Sequence, residues 1–381
     1  MSAQRWAWAE VDLAAVAHNV GIVRAAVAPA SVWVVVKADG YGHGSVAVAK
    51  AARAAGADGL CVALVQEARV LRDAGVDAPV LVLSTQPAEQ ATEAVALGVT
   101  STVVDADGIT SLAAAARAAG CVHDVHLKID TGMHRMGCDA TDAAGLAVLA
   151  GTTAGLRLAG VFTHLATADE PAHPAVAMQL ARFDEALAAI RSAGIDPGVV
   201  HVANSAGALA LPASRHDLVR VGIAVYGISP GSGVDHLASA LRPAMSVHAR
   251  VSRVHRVPAG EGVSYGLRHR VSCETTIATV PIGYADGVSR RAFTVGAEVL
   301  IGGVRRPIVG VVTMDQLMVD VGDAEVSVGD HVVLIGEQGT DRILAAEWAD
   351  RLDTIGYEIV CAISARVPRR LGPGVVVDSI V

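Results

Sequence analysis

Short Val/Ile/Leu-rich runs, continuous rather than alternating in stretches such as VWVVV and PVLVL, follow one another up to about residue 230, separated by Ala-rich stretches of helical spacing. Residues 31–38, 59–64, 79–83, 100–105, 125–130, 158–165, 198–204 and 218–226 are the predicted strands. A strand that stays apolar along its length is buried on both faces, as in a parallel sheet covered by helices; a half-solvated strand alternates instead. Eight strand–helix units of this kind predict a (β/α)8 barrel, with a doubly wound open sheet as the competing arrangement.

From about residue 242 the period changes. TTIATVPIG, EVLIGG, RPIVGVV, LMVDVG and HVVLIG alternate and are punctuated by Gly and Pro, which predicts a mainly β second domain. The stretch ILAAEWADRLDTIGYEIVCAIS reads as helix inside it. The expected division is a barrel over 1–235 and a mainly β domain over 236–381, with ISPGSG (228–233) as the linker region and residues 1–11 as a first strand able to pair with the C-terminal domain.

The net charge of −8 comes from acids and bases interspersed along 381 residues, so there is no basic stripe for nucleic acid and no polybasic patch for a membrane. The start, MSAQRWAWAEVDL, lacks the cationic and apolar regions of a signal peptide, and no apolar span is long enough to cross a bilayer, so a cytoplasmic location is expected. Five scattered cysteines without CxxC spacing read as buried thiols, with neither a disulfide frame nor a metal site.

Lysine usage is more informative. Only Lys37, Lys50 and Lys128 are lysines among 30 basic residues. Lys50 lies on the polar side of an Ala-rich helix. Lys37 ends the first predicted strand in VWVVVKADGYGHG, where a barrel presents its active-site mouth. A lysine in a partly apolar pocket can attack an aldehyde and form a Schiff base, which arginine cannot do. In HLKIDTGMHRMG, Lys128 and Arg135 stand close together, and either Asp130 neutralises them or the lysine is modified. A structural ion pair explains that segment as well. In HVANSAGAL, Ser205 and the amides after it can cradle a phosphate, although Asn-Ser also makes ordinary helix caps. Arg220 and Gly222 follow in the last strand, and His164 ends the sixth. All five tyrosines (41, 226, 265, 284 and 357) adjoin a glycine, a placement that favours loops lining a site over core packing.

These segments, in this order and over nearly the whole chain, resemble the alanine racemases, which use pyridoxal 5′-phosphate (PLP) on a barrel-type fold. The resemblance implies that Lys37 holds the cofactor, that Tyr41, Ser205, Gly222, Ile223 and Tyr357 hold its phosphate, and that Arg220 faces its ring nitrogen. His164 joins Arg220 behind Tyr265, the second base, in GVSYG. Arg135 contacts cofactor and substrate, and Lys128 is the lysine often carbamylated. Met314 and Asp315, in GVVTMDQ, shape the carboxylate end of the pocket. Tyr284, Asp169 and Arg290 line the substrate corridor. Because Tyr265, Tyr284, Met314 and Asp315 reach the other subunit's site in that family, a head-to-tail homodimer is implied. The implied reaction interconverts L- and D-alanine by two bases and supplies D-alanine for peptidoglycan. Serine, lysine or ornithine as substrate, or a non-catalytic PLP-binding role, are the alternatives. Gly40, Val311 and Thr313 stand where the family usually has Ala, Arg and Cys, and Gly40 is expected to loosen its loop.

Overall fold

The computed structural model describes residues 5–372 and the backbone of 375–377. The chain divides into two compact units, Ala14–Arg242 and a second that combines the residues up to Leu13 with those from Pro243 onward. Asn19 receives the Arg242 amide at 2.8 Å and donates to its carbonyl at 2.8 Å, which keeps residues up to 242 with the first unit.

In that unit the strands lie at Ser31–Val35, Gly59–Val62, Val80–Val82, Thr100–Val103, His123–Asp130, Leu156–Phe162, Val199–His201 and Leu218–Val221. Successive strands pair in parallel, and the last pairs with the first, Val219 opposite Val32. Between the seventh and eighth strands, the Asp217 amide donates to Val200 O (3.1 Å) and the Arg220 amide to Ala203 O (3.0 Å). The ring is thereby nearly closed, which selects the barrel over the open sheet. Strands Gly59–Val62, Val80–Val82 and Leu218–Val221 are buried at every residue, as their unbroken apolar character requires.

The helices between the strands bury an Ala-rich stripe. In Ala106–Ala118 the buried residues are Ile109, Leu112, Ala113 and Ala116, one face of a 3.6-residue period. Asp105 begins that helix by accepting the Gly108 amide at 2.8 Å. Truncating a fully buried leucine such as Leu60 or Leu81 to alanine would cost roughly 2–5 kcal/mol.

In the second unit the sheet runs Arg253–Val257, Thr275–Val280, Leu317–Gly322, Val304–Val309, Glu298–Ile301, His331–Gln338, Met245–Arg250, Ala7–Val11, Arg369–Leu371, Val375–Val377, with Asp341–Ile343 alongside His331–Gln338. Ala7–Val11 pairs antiparallel with Met245–Arg250. The stretch read as one helix is two, Ala345–Leu352 and Gly356–Ala362, because Asp353 turns left-handed (φ 58°) and ends the first. The cysteines correct another expectation. Cys61 and Cys138 are buried, but Cys121, Cys273 and Cys361 are exposed, the first two in turns and the third on the last turn of a short helix. Among the described residues no helix is long and apolar enough to cross a membrane, and no group of three or more His, Cys, Asp or Glu could hold a metal ion.

Candidate active site

The first strand ends at Val35, and Lys37, half-buried, opens a turn of unusual handedness. Ala38 (φ 51°), Asp39 (51°), Gly40 (62°) and Tyr41 (54°) are all left-handed. For the three that carry a Cβ this costs roughly 1–2 kcal/mol each. The turn is therefore pinned from several sides. Glu67 accepts the Ala38 amide (2.7 Å) while also accepting those of Ala63 (2.7 Å) and Leu64 (3.1 Å) at the start of its own helix. Asp39 accepts the Ser45 amide at 2.8 Å. Tyr226, fully buried, donates its hydroxyl to Val35 O at 2.9 Å and packs against the Tyr41 ring at 4.9 Å. Tyr226 is thus a core residue, where its glycine neighbour had suggested a loop.

Strand periodicity puts His126, Lys128 and Asp130 on one face of His123–Asp130. Across from them lie His201 and Arg220. Arg220 is buried and donates to His201 Nδ1 (2.6 Å), Thr163 O (2.9 Å), Val202 O (3.0 Å) and His164 Nδ1 (3.2 Å). Its guanidinium lies 5.0 Å from the centre of the Phe162 ring, and Lys128 Nζ lies 5.4 Å from it. Burial lowers Arg220 to about 10, so it is still a cation at neutral pH.

An arginine only donates, which fixes the protons on its partners. His201 must accept through Nδ1 and carry its proton on Nε2, which then donates to His126 Nδ1 at 2.9 Å. His126 is left with its proton on Nε2. All three imidazoles are held neutral. Burial, with Arg220 added, pushes His201 and His164 well below the usual range, and burial takes His126 to about 4.

Lys128 is a strongly perturbed amine. Burial first, then the charges of Arg220 and Arg135, lower it from 10.5 to about 7, against a smaller opposing pull from Asp130. Asp130 is turned towards its own backbone. Its Oδ1 accepts the amides of Gly132 (2.8 Å), Met133 (3.0 Å) and His134 (3.1 Å) and so closes its own turn. Arg220 bonds to His164, and Lys128, Arg135 and Lys37 also lie near enough to depress its protonation, so four basic side chains gather at the strand ends.

Ser205, buried, opens Ser205–Ala210, and its Oγ accepts the Gly222 amide (3.0 Å) and the Ala224 amide (3.4 Å). Asn204 caps that helix by accepting the Gly207 amide at 2.9 Å. Ile223 is buried beside Gly222. A Cβ on Gly222 would overlap the Tyr41 hydroxyl and come within 2.9 Å of Tyr41 Cζ, so this backbone can approach the tyrosine only as glycine. Tyr41, Ser205, Gly222 and Ile223 thus lie together in one cluster. Asp169 packs against Gly231 and Gly233 in the same unit.

The remaining candidates belong to the second unit. Tyr265 follows the short hairpin strand Gly262–Val263 in a turn with Ser264 (φ 62°) and Leu267 (φ 48°) left-handed. It is 69% exposed, Met314 52% and Tyr284 43%. Hydrogen bonds join their loops: Ser264 Oγ donates to Val311 O (2.6 Å), the Tyr284 amide to Thr313 O (3.0 Å) and the Ala285 amide to Met314 O (3.0 Å). Arg290 is exposed just beyond, and Tyr357 is half-buried on Gly356–Ala362.

Residues 11–230 match the family model described as alanine racemase, N-terminal domain, and residues 244–371 match alanine racemase, C-terminal domain. The chain belongs to the alanine racemase family. It is 47% identical to the alanine racemase of Thermobifida fusca (strain YX), over 96% of this chain and 97% of that one. Among solved structures, alanine racemase from D-cycloserine-producing Streptomyces lavendulae superposes with a TM-score of 0.93 at 40% identity, covering 98% of both chains. That of Bacillus anthracis with bound L-Ala-P gives 0.92 at 40%, covering 99% of this chain and 98% of that one.

Three positions depart from the usual alanine racemase pattern. Gly40 sits where an added Cβ would lie 3.2 Å from the Ser45 backbone at a positive φ. In its loop the Gly40 amide donates to Val36 O (2.9 Å), and Gly40 O accepts the His43 amide (3.0 Å). Val311 is buried, and the hydroxyl of Thr313 bonds within its own turn. Sequence reasoning did not single out His126, His201, Glu67 or Phe162. For His126 and His201 the available signal was a polar residue inside a mostly buried strand; Glu67, in a helix, and Phe162, apolar, carried none.

Proposed function

We propose that this protein is a PLP-dependent racemase interconverting L- and D-alanine, with Lys37 and Tyr265 as its two bases. The observation that carries the reading is the convergence of Lys37, Lys128, Arg135 and Arg220 while Asp130 is occupied in its own turn. So cationic a cluster suits an anionic cofactor and a carboxylate substrate. The residues fit the group: Tyr41, Ser205, Gly222 and Ile223 would hold the phosphate, with Tyr357 joining them, and Arg220 would take the ring nitrogen. When bound, PLP supplies an aldehyde that links to amines and a ring that draws electron density from the substrate's Cα.

What the chain's own residues do follows from charge and geometry. Arg220 keeps its protons at neutral pH, so it offers the ring nitrogen a hydrogen bond and no proton, which disfavours transamination. His201 and His126, fixed in one tautomer, hold the guanidinium from behind. Inversion at Cα needs a proton taken from one face and another given to the opposite face, so two bases must flank the substrate. Lys37 Nζ would act on the D-alanine face and the Tyr265 oxygen on the L-alanine face. His164, neutral with Nδ1 engaged by Arg220, would support the phenolate.

Tyr265, Tyr284 and Met314 are exposed on adjoining loops of the second unit. That exposure supports a head-to-tail homodimer in which a second copy contributes them, with Asp315, while Asp169, Tyr284 and Arg290 line the corridor. At about 7, Lys128 is roughly half neutral at pH 7, the form that adds carbon dioxide, and a carbamate there would orient Arg135. A cytoplasmic enzyme of this kind would provide D-alanine for peptidoglycan.

The test is incubation of L-alanine with the purified protein and PLP in heavy water, followed by chiral separation and mass analysis. The expected product is D-alanine deuterated at Cα. Bound PLP with no exchange would refute alanine as the substrate and direct attention to larger amino acids.

A further inference from the structure

In the second unit the segment Thr313–Gln316 is a closed turn. The Thr313 amide donates to Gln316 O (2.9 Å), Thr313 Oγ1 donates to the same oxygen (3.0 Å), and the Gln316 amide donates to Thr313 Oγ1 (3.1 Å). The Tyr284 loop is bonded to this turn through Thr313 O and Met314 O. The backbone that presents Met314 and Asp315 is therefore held on both sides.

The Asp315 side chain, 58% exposed, is held separately. Arg366 Nη2 lies 2.7 Å from Asp315 Oδ1, and Arg366 Nε lies 3.4 Å from Oδ1 of Asp286. Asp286 is fully buried, and its Oδ2 takes Arg5 (2.6 Å) and the Gly283 amide (3.0 Å). Oδ1 has no hydrogen bond among the described residues, so the Arg366 guanidinium is the charge that faces it. Arg366 thus bridges a buried carboxylate and an exposed one. An exposed ion pair adds little stability, typically below about 1 kcal/mol, so its effect is to restrict and neutralise Asp315. That matters if the Met314–Asp315 turn meets the substrate's carboxylate, because an unpaired Asp315 would repel it.

We propose that Arg366, anchored on Asp286, is a positioning residue that neutralises and orients Asp315 so that the turn accepts an anionic substrate carboxylate. This rests on the racemase reading, which is tested first on the wild type. Failure of that enzyme to racemise would defeat the parent reading before any variant is compared.

The experiment measures kinetics in both directions and, independently of turnover, propionate binding to the holoenzyme by calorimetry. Arg366→Ala should raise KM for both enantiomers and weaken propionate by about tenfold, with kcat changed less than about threefold. Adding Asp315→Asn to Arg366→Ala should recover much of that loss, because the repelling charge is gone. A variant with wild-type KM and propionate affinity, or a double variant no better than Arg366→Ala, would overturn the proposal. Should Arg366→Ala fail to fold, Asp315→Asn alone decides. It leaves Arg366 as a surplus cation, so propionate should bind at least as tightly as to the wild type, and a tenfold weakening would refute the role.

Discussion

Lys128→Met replaces a buried amine by an apolar chain of similar length, and its effect should depend on pH in a defined way. The amine is lowered from 10.5 to about 7, mainly by burial. At about 1.36 kcal/mol for each pH unit across that gap of roughly 3.5, the cost of burying the charged form is at most about 5 kcal/mol. Relaxation and water entry reduce this by about half, to roughly 2 kcal/mol at pH 7. The sign follows from linkage. Because the folded value is lower, the unfolded chain holds more protons between about pH 7 and pH 10.5, and wild-type stability rises with pH through that window. Below it both states are protonated and the full penalty stands; above it both are neutral and the penalty is gone. Lys128→Met should therefore be more stable than the wild type at pH 7, with an advantage that shrinks towards zero by about pH 10. Denaturant unfolding of the apoprotein in carbon-dioxide-free buffer at several pH values measures the difference. An advantage that stays constant across the window, or a wild type that is the more stable at pH 7, would refute the assignment of burial as the cause.

Other substitutions test separate parts of the site. Gly222→Ala drives a Cβ into the Tyr41 hydroxyl, so PLP titration of the apoprotein should show cofactor affinity weakened by roughly ten- to a hundredfold, with about 1–3 kcal/mol of lost stability. His201→Leu removes the acceptor facing Arg220 and should cost about 1.5–3 kcal/mol in thermal unfolding, which His201→Gln partly restores by offering an amide oxygen. If each site draws Lys37 from one subunit and Tyr265 from the other, mixing inactive Lys37→Ala and Tyr265→Phe subunits should regenerate about a quarter of wild-type activity; no recovery after verified exchange would contradict a shared site.

The barrel was legible because strands such as Gly59–Val62 and Val80–Val82 keep unbroken apolar runs, the pattern of a doubly covered parallel sheet, and recur between Ala-rich helices. The second domain was legible for the converse reason, as in LMVDVG at Leu317–Gly322, where buried and half-buried residues alternate at the strand's end. Lys37 stood out through the rarity of lysine. Local sequence could not show that the four residues after it turn left-handed, because that conformation is held by Glu67, Tyr226 and other groups distant in the chain. The same limit hid the His126–His201–Arg220 chain and the Asp286–Arg366–Asp315 bridge, whose members are brought together by strand order and loop packing rather than by spacing. Tyr226 and the exposed cysteines show the limit from the other side, since residue type and neighbours alone did not determine burial.

In the proposed mechanism Lys37 and Tyr265 act on opposite faces of the same carbon. This is tested most directly by Cα exchange of each alanine enantiomer in heavy water with Tyr265→Phe. D-alanine should still exchange its Cα hydrogen, through Lys37, while L-alanine loses exchange and racemisation collapses. Equal residual exchange from both enantiomers, or unimpaired racemisation, would contradict it.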